Sequence, residues 1–496
     1  LFNFKEVIME PIYKSTRSKN IQASPKQAVL KGIAQDGGLF VFDDLDQIQI
    51  DLNKICSQSY LENAQYILSG LLPDYTQEEL KECVENAYGN SFASDAVTPL
   101  VKVGDQYVLE LFHGPTSAFK DVALTLLPQL MSQALKDTDE KALILTATSG
   151  DTGKAALSGF QDVKNTGICV FYPNGKVSNI QYRQMACQQG SNVHVYAVEG
   201  NFGDAQSMVK KLFLDKELNE FAAKNKVRLS SANSINIGRL VPQIVYYFEA
   251  YKQLVKDGVI QIGDEVSFSV PTGNFGDVLA GYYASLMGLP VKKFYVASNS
   301  NSVLSDFFET GTYDRNRPFV QTISPSMDIL ISSNLERLLY YMSGKDADQV
   351  AAWMKDLSQK GVYSVGDEMK KKLQETFGWG YFDDAATKEI IAEVYDKTGY
   401  VLDPHSAIGY GLGKEADGVV VTLATASPYK FSRDVLSALK EEEKDEWKAL
   451  HRIEELSKTR APKALADLET AEILHTDILQ PEEMKEAVMT VTGEMK

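Results

Sequence analysis

The segment Phe112-His113-Gly114-Pro115-Thr116-Ser117-Ala118-Phe119-Lys120-Asp121 sets one lysine after a Gly-Pro turn and small hydroxyl residues, directly beside an aromatic ring. A lysine in a partly desolvated, aromatic-walled pocket has a lowered pKa, and the neutral amine can form a Schiff base with a carbonyl cofactor. An ordinary surface lysine at a helix start has the same spacing, so the segment alone does not separate the two readings. Further along, Leu145-Thr146-Ala147-Thr148 runs through Ser149-Gly150-Asp151-Thr152-Gly153 into a helix beginning near Lys154. Glycines at such a junction let successive backbone N–H groups converge on an anion. It is not a P-loop: Thr148 stands where the first glycine is required, and Ala155 after Gly153-Lys154 could not hold magnesium. The pentapeptide Gly-Asn-Phe-Gly-Asp occurs at 200–204 and again at 273–277. The first copy follows Glu199, whose charge would sit beside any bound anion, so it reads as a plain helix start. The second follows Val270-Pro271-Thr272, a hydroxyl behind an apolar strand, and electrostatics favours it as a phosphate cup. The run Val419–Thr425 ends in hydroxyls and would suit a ring nitrogen that needs a neutral hydrogen-bond partner.

These residues need elements to position them. From Ser24 to about Asn90 the pattern is mostly helical, with Pro25 opening one helix and Thr76-Gln77-Glu78-Glu79 forming a capping box before another. Short β-branched runs then alternate with amphipathic helices: Ala142–Thr148, Gly167–Tyr172, Val193–Val198, Val266–Val270, Lys293–Ala297 and Val419–Thr425. That alternation predicts parallel βαβ units and an α/β fold. The expected organisation is a helical N-terminal domain (1–95), an α/β domain with the lysine and the Ser149–Gly153 loop (96–250), a second α/β domain with the phosphate loop (251–432) carrying a helical insertion around 303–398, and a charged helical extension (433–496) packed on the outside.

With 496 residues, 44% of them hydrophobic and 24% charged, the chain has globular composition and length for two or three cores. A net charge of −17 argues against nucleic-acid partners, which require clustered Lys and Arg. Cys56, Cys83, Cys169 and Cys187 show no C-x-x-C spacing and read as thiols in a reducing compartment, with no metal site. No run of about 18 apolar residues exists to span a bilayer, and the opening residues are too short and mixed for a signal peptide. A cytoplasmic, non-membrane protein is expected, with residues 1–8 before Met9 as a possible upstream remnant.

A Schiff-base lysine, a phosphate cup, a second anion cup and a ring-nitrogen partner are the set pyridoxal 5'-phosphate requires. On Tyr13–Arg17, Asp36–Phe40, the lysine segment, Thr148–Gly153, Asn233–Asn236, Pro271–Asp277, Asp403-Pro404-His405 and the Thr425 region, the chain resembles the threonine synthase family, in its longer fungal and bacterial subgroup. The family has the tryptophan-synthase-β-like architecture of fold type II pyridoxal-phosphate enzymes. The resemblance covers most of the chain. It implies conversion of O-phospho-L-homoserine and water to L-threonine and phosphate, by γ-elimination and β-addition of water. It also implies that Lys120 holds the cofactor and then moves protons, that Phe119 packs by the ring, and that Gly273, Asn274, Phe275, Gly276 and Asp277 hold the cofactor phosphate. Thr425 would meet the pyridine nitrogen; a hydroxyl there, unlike a carboxylate, would not keep the nitrogen protonated, which suits elimination over transamination. Ser149, Gly150, Asp151, Thr152 and Gly153 would receive the substrate carboxylate. Asp151, where relatives outside the subgroup have asparagine, must turn away or find a donor. For the substrate phosphate the candidates are Arg239 with Ser234 and Asn236, and then Lys14 and Arg17. His113 and His405 read as structural. Another fold type II lyase, such as a serine or threonine dehydratase, and a catalytically silent cofactor-binding homologue are the alternatives. A monomer or homodimer is expected.

Overall fold

Continuous runs of buried β-branched and aromatic side chains set the central strands. Thr166–Pro173, Val266–Pro271 and Val420–Ala424 are buried along their whole length, the pattern of parallel strands covered by helices on both faces. The computed structural model describes residues 12–148 and 150–495, so residues 1–8, Met9 and Ser149 lie outside the described residues. Each of the six expected runs forms a strand with ends within two residues of those read from the sequence. They divide between two sheets. One is all parallel, in the order Ile478–Leu479, Val193–Val198, Thr166–Pro173, Lys141–Ala147, Val227–Ser230. The other runs Phe377–Tyr381, Val291–Ser298, Val266–Pro271, Val420–Ala424, Gln106–Glu110, Leu100–Val103, parallel except for its last pair.

The sheets redraw the expected boundaries. The hairpin Leu100–Val103 and Gln106–Glu110, assigned above to the lysine-bearing domain, pairs instead with Val420–Ala424 of the second sheet. The region 303–398 is not purely an inserted helical block, because Phe377–Tyr381 is the edge strand of that same sheet. The N-terminal part holds helices Pro25–Lys31, Leu52–Ser57, Tyr60–Leu71 and Gln77–Tyr88, but also a three-stranded antiparallel sheet of Ser18–Ala23, Tyr13–Ser15 and Phe40–Phe42. The charged tail is likewise integrated. Ile478–Leu479 extends the first sheet, and the helix Met484–Glu494 buries Met484, Val488 and Val491 against Leu143, Phe171 and Leu212. Glu446, from the acidic run, accepts the N–H groups of Asn179 and Ile180 at 3.0 Å each, capping the helix Asn179–Ala186.

The helix Ile237–Lys256 is the internal pillar. It is buried almost all round and packs against the N-terminal helices, the helix Lys120–Leu124 and the helix Gly276–Leu286. Its buried Arg239, Gln243, Glu249 and Lys252 stand among otherwise apolar and aromatic side chains, so neighbouring elements enclose it. Its N-terminus therefore lies between the two sheet units, where the cavity described next opens.

Candidate active site

A cavity of about 720 Å³ lies at the carboxyl ends of strands from both sheets, with Thr146, Ala147 and Thr148 from one and Pro271 and Thr425 from the other. Carboxyl ends of strands are where open α/β sheets bind ligands, and the volume suits a ring cofactor with a small substrate.

Lys120 opens a short helix and lines this cavity. The preceding loop is stitched down: Asp121, itself buried, accepts from the Thr116 N–H at 2.9 Å and the Thr116 hydroxyl at 2.5 Å. Gly114 is required there, since a Cβ on it would stand 2.4 Å from Asp121 Cβ. Phe119 N–H donates to the Thr425 carbonyl at 2.8 Å and Ser427 N–H to Ser117 at 3.1 Å, fixing the lysine to the end of Val420–Ala424. Burial lowers the Lys120 pKa to about 8, Asp151 working against it and Arg239 and Lys430 adding to it. Nζ stands 5.7 Å from the Phe119 ring centre and 3.5 Å from Ser326 Oγ. A fraction of this amine is therefore neutral near pH 7, as a nucleophile toward a carbonyl requires.

The second Gly-Asn-Phe-Gly-Asp copy forms a cup where Val266–Pro271 passes into the helix Gly276–Leu286. Gly273, Asn274, Gly276 and Asp277 line the cavity. Phe275 does not present its side chain there. In the left-handed conformation at φ 65°, it sends its ring into the core, stacked on Phe308 at 6.0 Å, and so anchors the loop from behind. Asp277 Oδ1 accepts from the Thr272 hydroxyl at 2.5 Å and the Val278 N–H at 2.9 Å. Burial, the largest influence, raises its pKa to about 6.

The other loop departs from expectation in part. Gly150, Asp151 and Thr152 line the cavity. The N–H groups of Gly150 and Gly153, however, donate to Thr148 Oγ1 at 3.1 and 3.2 Å, so neither is available to a substrate carboxylate. Gly153 is there for close packing: a Cβ would meet Thr148 Cγ2 at 2.3 Å. Asp151 turns to donors, as its charge demands. Its carboxylate lies 2.8 Å from both Lys154 Nζ and Lys430 Nζ. Burial alone would raise its pKa, but Lys154, Lys430 and Lys120 together hold it well below the usual carboxylate range.

Among the expected phosphate ligands, Ser234 and Arg239 line the cavity. Arg239 is buried, donates through Nη1 to the Ala232 carbonyl at 2.6 Å, and has an Nε with no partner among the described residues. Burial lowers its pKa to about 10. Asn236 does not reach the cavity. It caps the helix Ile237–Lys256, accepting from Gly238 N–H and donating to the Val29 carbonyl at 2.9 Å. Lys14 and Arg17 are also elsewhere, because each found a nearer carboxylate: Lys14 pairs with Asp43 at 2.5 Å, and Arg17 grips Glu336 through two bonds of 2.8 and 2.7 Å.

Several residues in or behind the cavity wall carried no readable local signal, Lys430 among them, which reaches the cavity-lining Asp151 without lining the cavity itself. Lys430 sits beyond the Thr425 run, and only a lysine flanked by aromatic residues in Tyr429-Lys430-Phe431 hints at burial. His405 and Ser326 line the wall; His405 is buried and does hold a turn, accepting the Ser326 N–H at 3.1 Å. His113 pairs with Glu110 at 2.7 Å. The first Gly-Asn-Phe-Gly-Asp copy is capped as a plain helix start by Asn201 and Asp204, yet Phe202, Gln206 and Lys210 along one face of that helix reach the cavity rim.

A neutralisable, half-buried lysine facing a glycine-rich helix start, between two open, mainly parallel sheets, defines a fold type II pyridoxal-phosphate-dependent enzyme, and the family model for pyridoxal-phosphate dependent enzymes matches residues 94–367. The models for the threonine synthase N terminus and the threonine synthase C-terminal region match residues 12–88 and 406–488. The chain belongs to the threonine synthase family. The threonine synthase of Pseudomonas aeruginosa is 40% identical over 436 residues, covering 86% of this chain and 90% of that protein. The crystal structure of a PLP-bound threonine synthase from Brucella melitensis superposes with a TM-score of 0.87 at 39% identity, covering 97% of this chain and 99% of that one. Threonine synthase-like 1 of Macaca fascicularis is 38% identical over 435 residues, covering 85% of this chain; the chain spans 58% of that relative's length. No helix among the described residues is long and apolar enough to cross a membrane.

The residues present fit pyridoxal phosphate. The Gly273–Asp277 cup offers a helix N-terminus for its phosphate, Lys120 an amine for its carbonyl, and Thr425 a strand-end hydroxyl residue on the cavity wall.

Proposed function

We propose that this chain converts O-phospho-L-homoserine and water to L-threonine and phosphate. The observation that carries the reading is Arg239, a buried guanidinium on the wall of the lysine's cavity whose Nε has no partner among the described residues. A buried cation without a carboxylate is costly unless an anion completes it, and guanidinium donors match phosphate geometry. A dehydratase acting on serine or threonine has no second phosphate to offer.

When bound, pyridoxal phosphate supplies the electron sink that makes protons on an amino acid's carbon skeleton removable. The chain's own residues do the rest. The helix start at Gly276 and the N–H groups of the Gly273–Asp277 loop hold one phosphate. The first turn at Asp151 and Thr152 receives the substrate carboxylate, with Lys154 and Lys430 offsetting the charge of Asp151. Arg239 and Ser234 hold the substrate phosphate and stabilise it as it leaves. Lys120 Nζ takes and returns protons, suited to both by its pKa of about 8. Thr425 meets the ring nitrogen, and Phe119 packs beside the ring.

Because one chain supplies all these groups, a monomer and a homodimer would each hold a complete site. Four free thiols favour a reducing compartment, the cytoplasm. The test is incubation of the holoenzyme with O-phospho-L-homoserine. Stoichiometric inorganic phosphate and threonine are expected. Pyruvate from serine or 2-oxobutanoate from threonine, without phosphate release, would overturn the reading.

A further inference from the structure

Asp403 caps the helix Pro404–Gly413 from a buried position, and its two carboxylate oxygens serve two separate hydrogen-bond paths. Oδ2 lies 2.6 Å from His405 Nδ1. The other ring nitrogen, Nε2, accepts the Ser326 N–H at 3.1 Å, which places the ring proton on Nδ1 facing the carboxylate. Oδ1 accepts the Ser406 hydroxyl, whose Oγ in turn accepts the Thr425 N–H at 3.2 Å. Ser326 and Thr425 both line the catalytic cavity, and Ser326 Oγ stands 3.5 Å from Lys120 Nζ.

Capping does not require this. An N-cap needs one side-chain oxygen, and asparagine or serine serves about as well. Here both oxygens take a cap N–H, and Oδ2, besides accepting the His405 backbone N–H at 3.0 Å, orients the ring of that histidine, whose far nitrogen is committed to the backbone of a segment 79 residues away in sequence.

We propose that Asp403 is a positioning residue for the chemistry at Lys120. Through His405 it holds the Pro325–Met327 turn so that Ser326 Oγ stands beside Nζ, and through Ser406 it holds the strand end that presents Thr425. The inference rests on the reading of Lys120 as the group that binds the cofactor and moves protons. A hydroxyl accepts from a protonated amine and donates to a neutral one, so Ser326 at a fixed distance serves both halves of a proton cycle. The turn is also pressed against the phosphate loop: a Cβ on Gly273 would stand 2.7 Å from the Ser326 carbonyl oxygen. Any drift of the turn would be felt at Lys120 and at the cup together. The Phe431 ring, 4.9 Å from that of His405, backs the assembly.

The test uses the full-length holoenzyme with Asp403→Asn, Ser326→Ala and both together. Asparagine keeps the cap but cannot accept from both His405 and Ser406 with its amide nitrogen facing one of them. Turnover should fall about 10- to 100-fold with KM nearly unchanged, by analogy with the loss on removing the outer partners that orient metal ligands. The pH midpoint of the absorbance band of the lysine–cofactor linkage should move in the same direction in both single variants, and the double variant should lose less than the product of the two. Asp403→Asn with wild-type turnover and an unmoved midpoint would overturn the proposal, as would an unmoved midpoint in Ser326→Ala. Should Asp403→Asn fail to fold, His405→Gln and Ser326→Ala decide by the same midpoint. Wild-type protein that forms the linkage yet releases no phosphate from O-phospho-L-homoserine would overturn the assigned reaction, and the midpoint would still judge the positioning role.

Discussion

Lys430 Nζ and the Asp151 carboxylate lie 2.8 Å apart, both buried, and join the turn after a strand of one sheet to the first turn of the helix Asp151–Phe160 beside the other. With Lys154 also at 2.8 Å from Asp151, its pKa lowered to about 7 by burial, the carboxylate is held between two amines at a helix N-terminus. Lys430 further donates to the Thr116 carbonyl at 2.8 Å, tying the lysine loop to the same point. Lys430→Met should therefore raise KM for O-phospho-L-homoserine by about tenfold, the equivalent of about 1.4 kcal/mol. Breaking a buried pair costs about 3–5 kcal/mol when it strands a charge; with Lys154 still beside Asp151 the loss in a denaturant melt should fall below that range.

Lys120→Ala should be almost inactive. Loss of positioned proton transfer alone costs about 10² to 10⁴ in rate, and the covalent anchor goes with it. Borohydride should fix the cofactor to wild-type protein and leave the variant unlabelled. In cofactor-free wild-type protein, acylation of Lys120 should show a midpoint at about 8, below the value of about 10.4 for exposed lysines.

Gly273→Ala should weaken pyridoxal phosphate binding by at least about tenfold, in keeping with about 1–3 kcal/mol for overpacking. The added methyl would meet the Ser326 carbonyl oxygen at 2.7 Å and Met327 Cα at 3.3 Å, both backbone atoms with no rotamer to yield. Titration of cofactor-free protein with pyridoxal phosphate measures it; unchanged affinity would mean that the cup lies elsewhere.

Asp277 makes a prediction with a sign. Its folded pKa of about 6 exceeds the ordinary 3.8, because burial opposes its charge. Between those values the folded state holds more protons than the unfolded one, so this group's contribution to stability falls as pH rises. The loss begins near the unfolded pKa and is complete above about pH 6. Asp277→Asn, whose oxygen can still accept from Thr272 and Val278, should gain on wild type through that window and hold the gain above it. The full difference should be no more than about 3 kcal/mol, read from urea melts of cofactor-free protein on either side of the window.

The strands that could be read from sequence are those buried on both faces, such as Val266–Pro271, where packing leaves room only for a continuous apolar run. Phe377–Tyr381 was hidden by Gly378 and Gly380, which mimic a turn. Gly378 is in fact needed for strand packing, since a Cβ there would strike the Tyr295 ring at 2.7 Å. The hairpin at Leu100–Glu110 was legible as neither element nor partner, because its neighbour Val420–Ala424 lies some three hundred residues on. In the site, Lys120 and the second Gly-Asn-Phe-Gly-Asp copy could be found because their chemistry depends on local backbone shape: a tight turn, a left-handed Phe275, a helix start.

By itself, then, the sequence picked out Lys120, the second Gly-Asn-Phe-Gly-Asp copy and the alternation that makes parallel sheets, since each depends on residues adjacent in the chain. Only the tertiary structure decided which charges are free. Asp43 and Glu336 claim Lys14 and Arg17, Lys430 arrives beside Asp151, and Arg239 Nε meets no partner among the described residues. Pairing of charges depends on distance through space and on burial, and neither quantity is encoded in spacing along the chain.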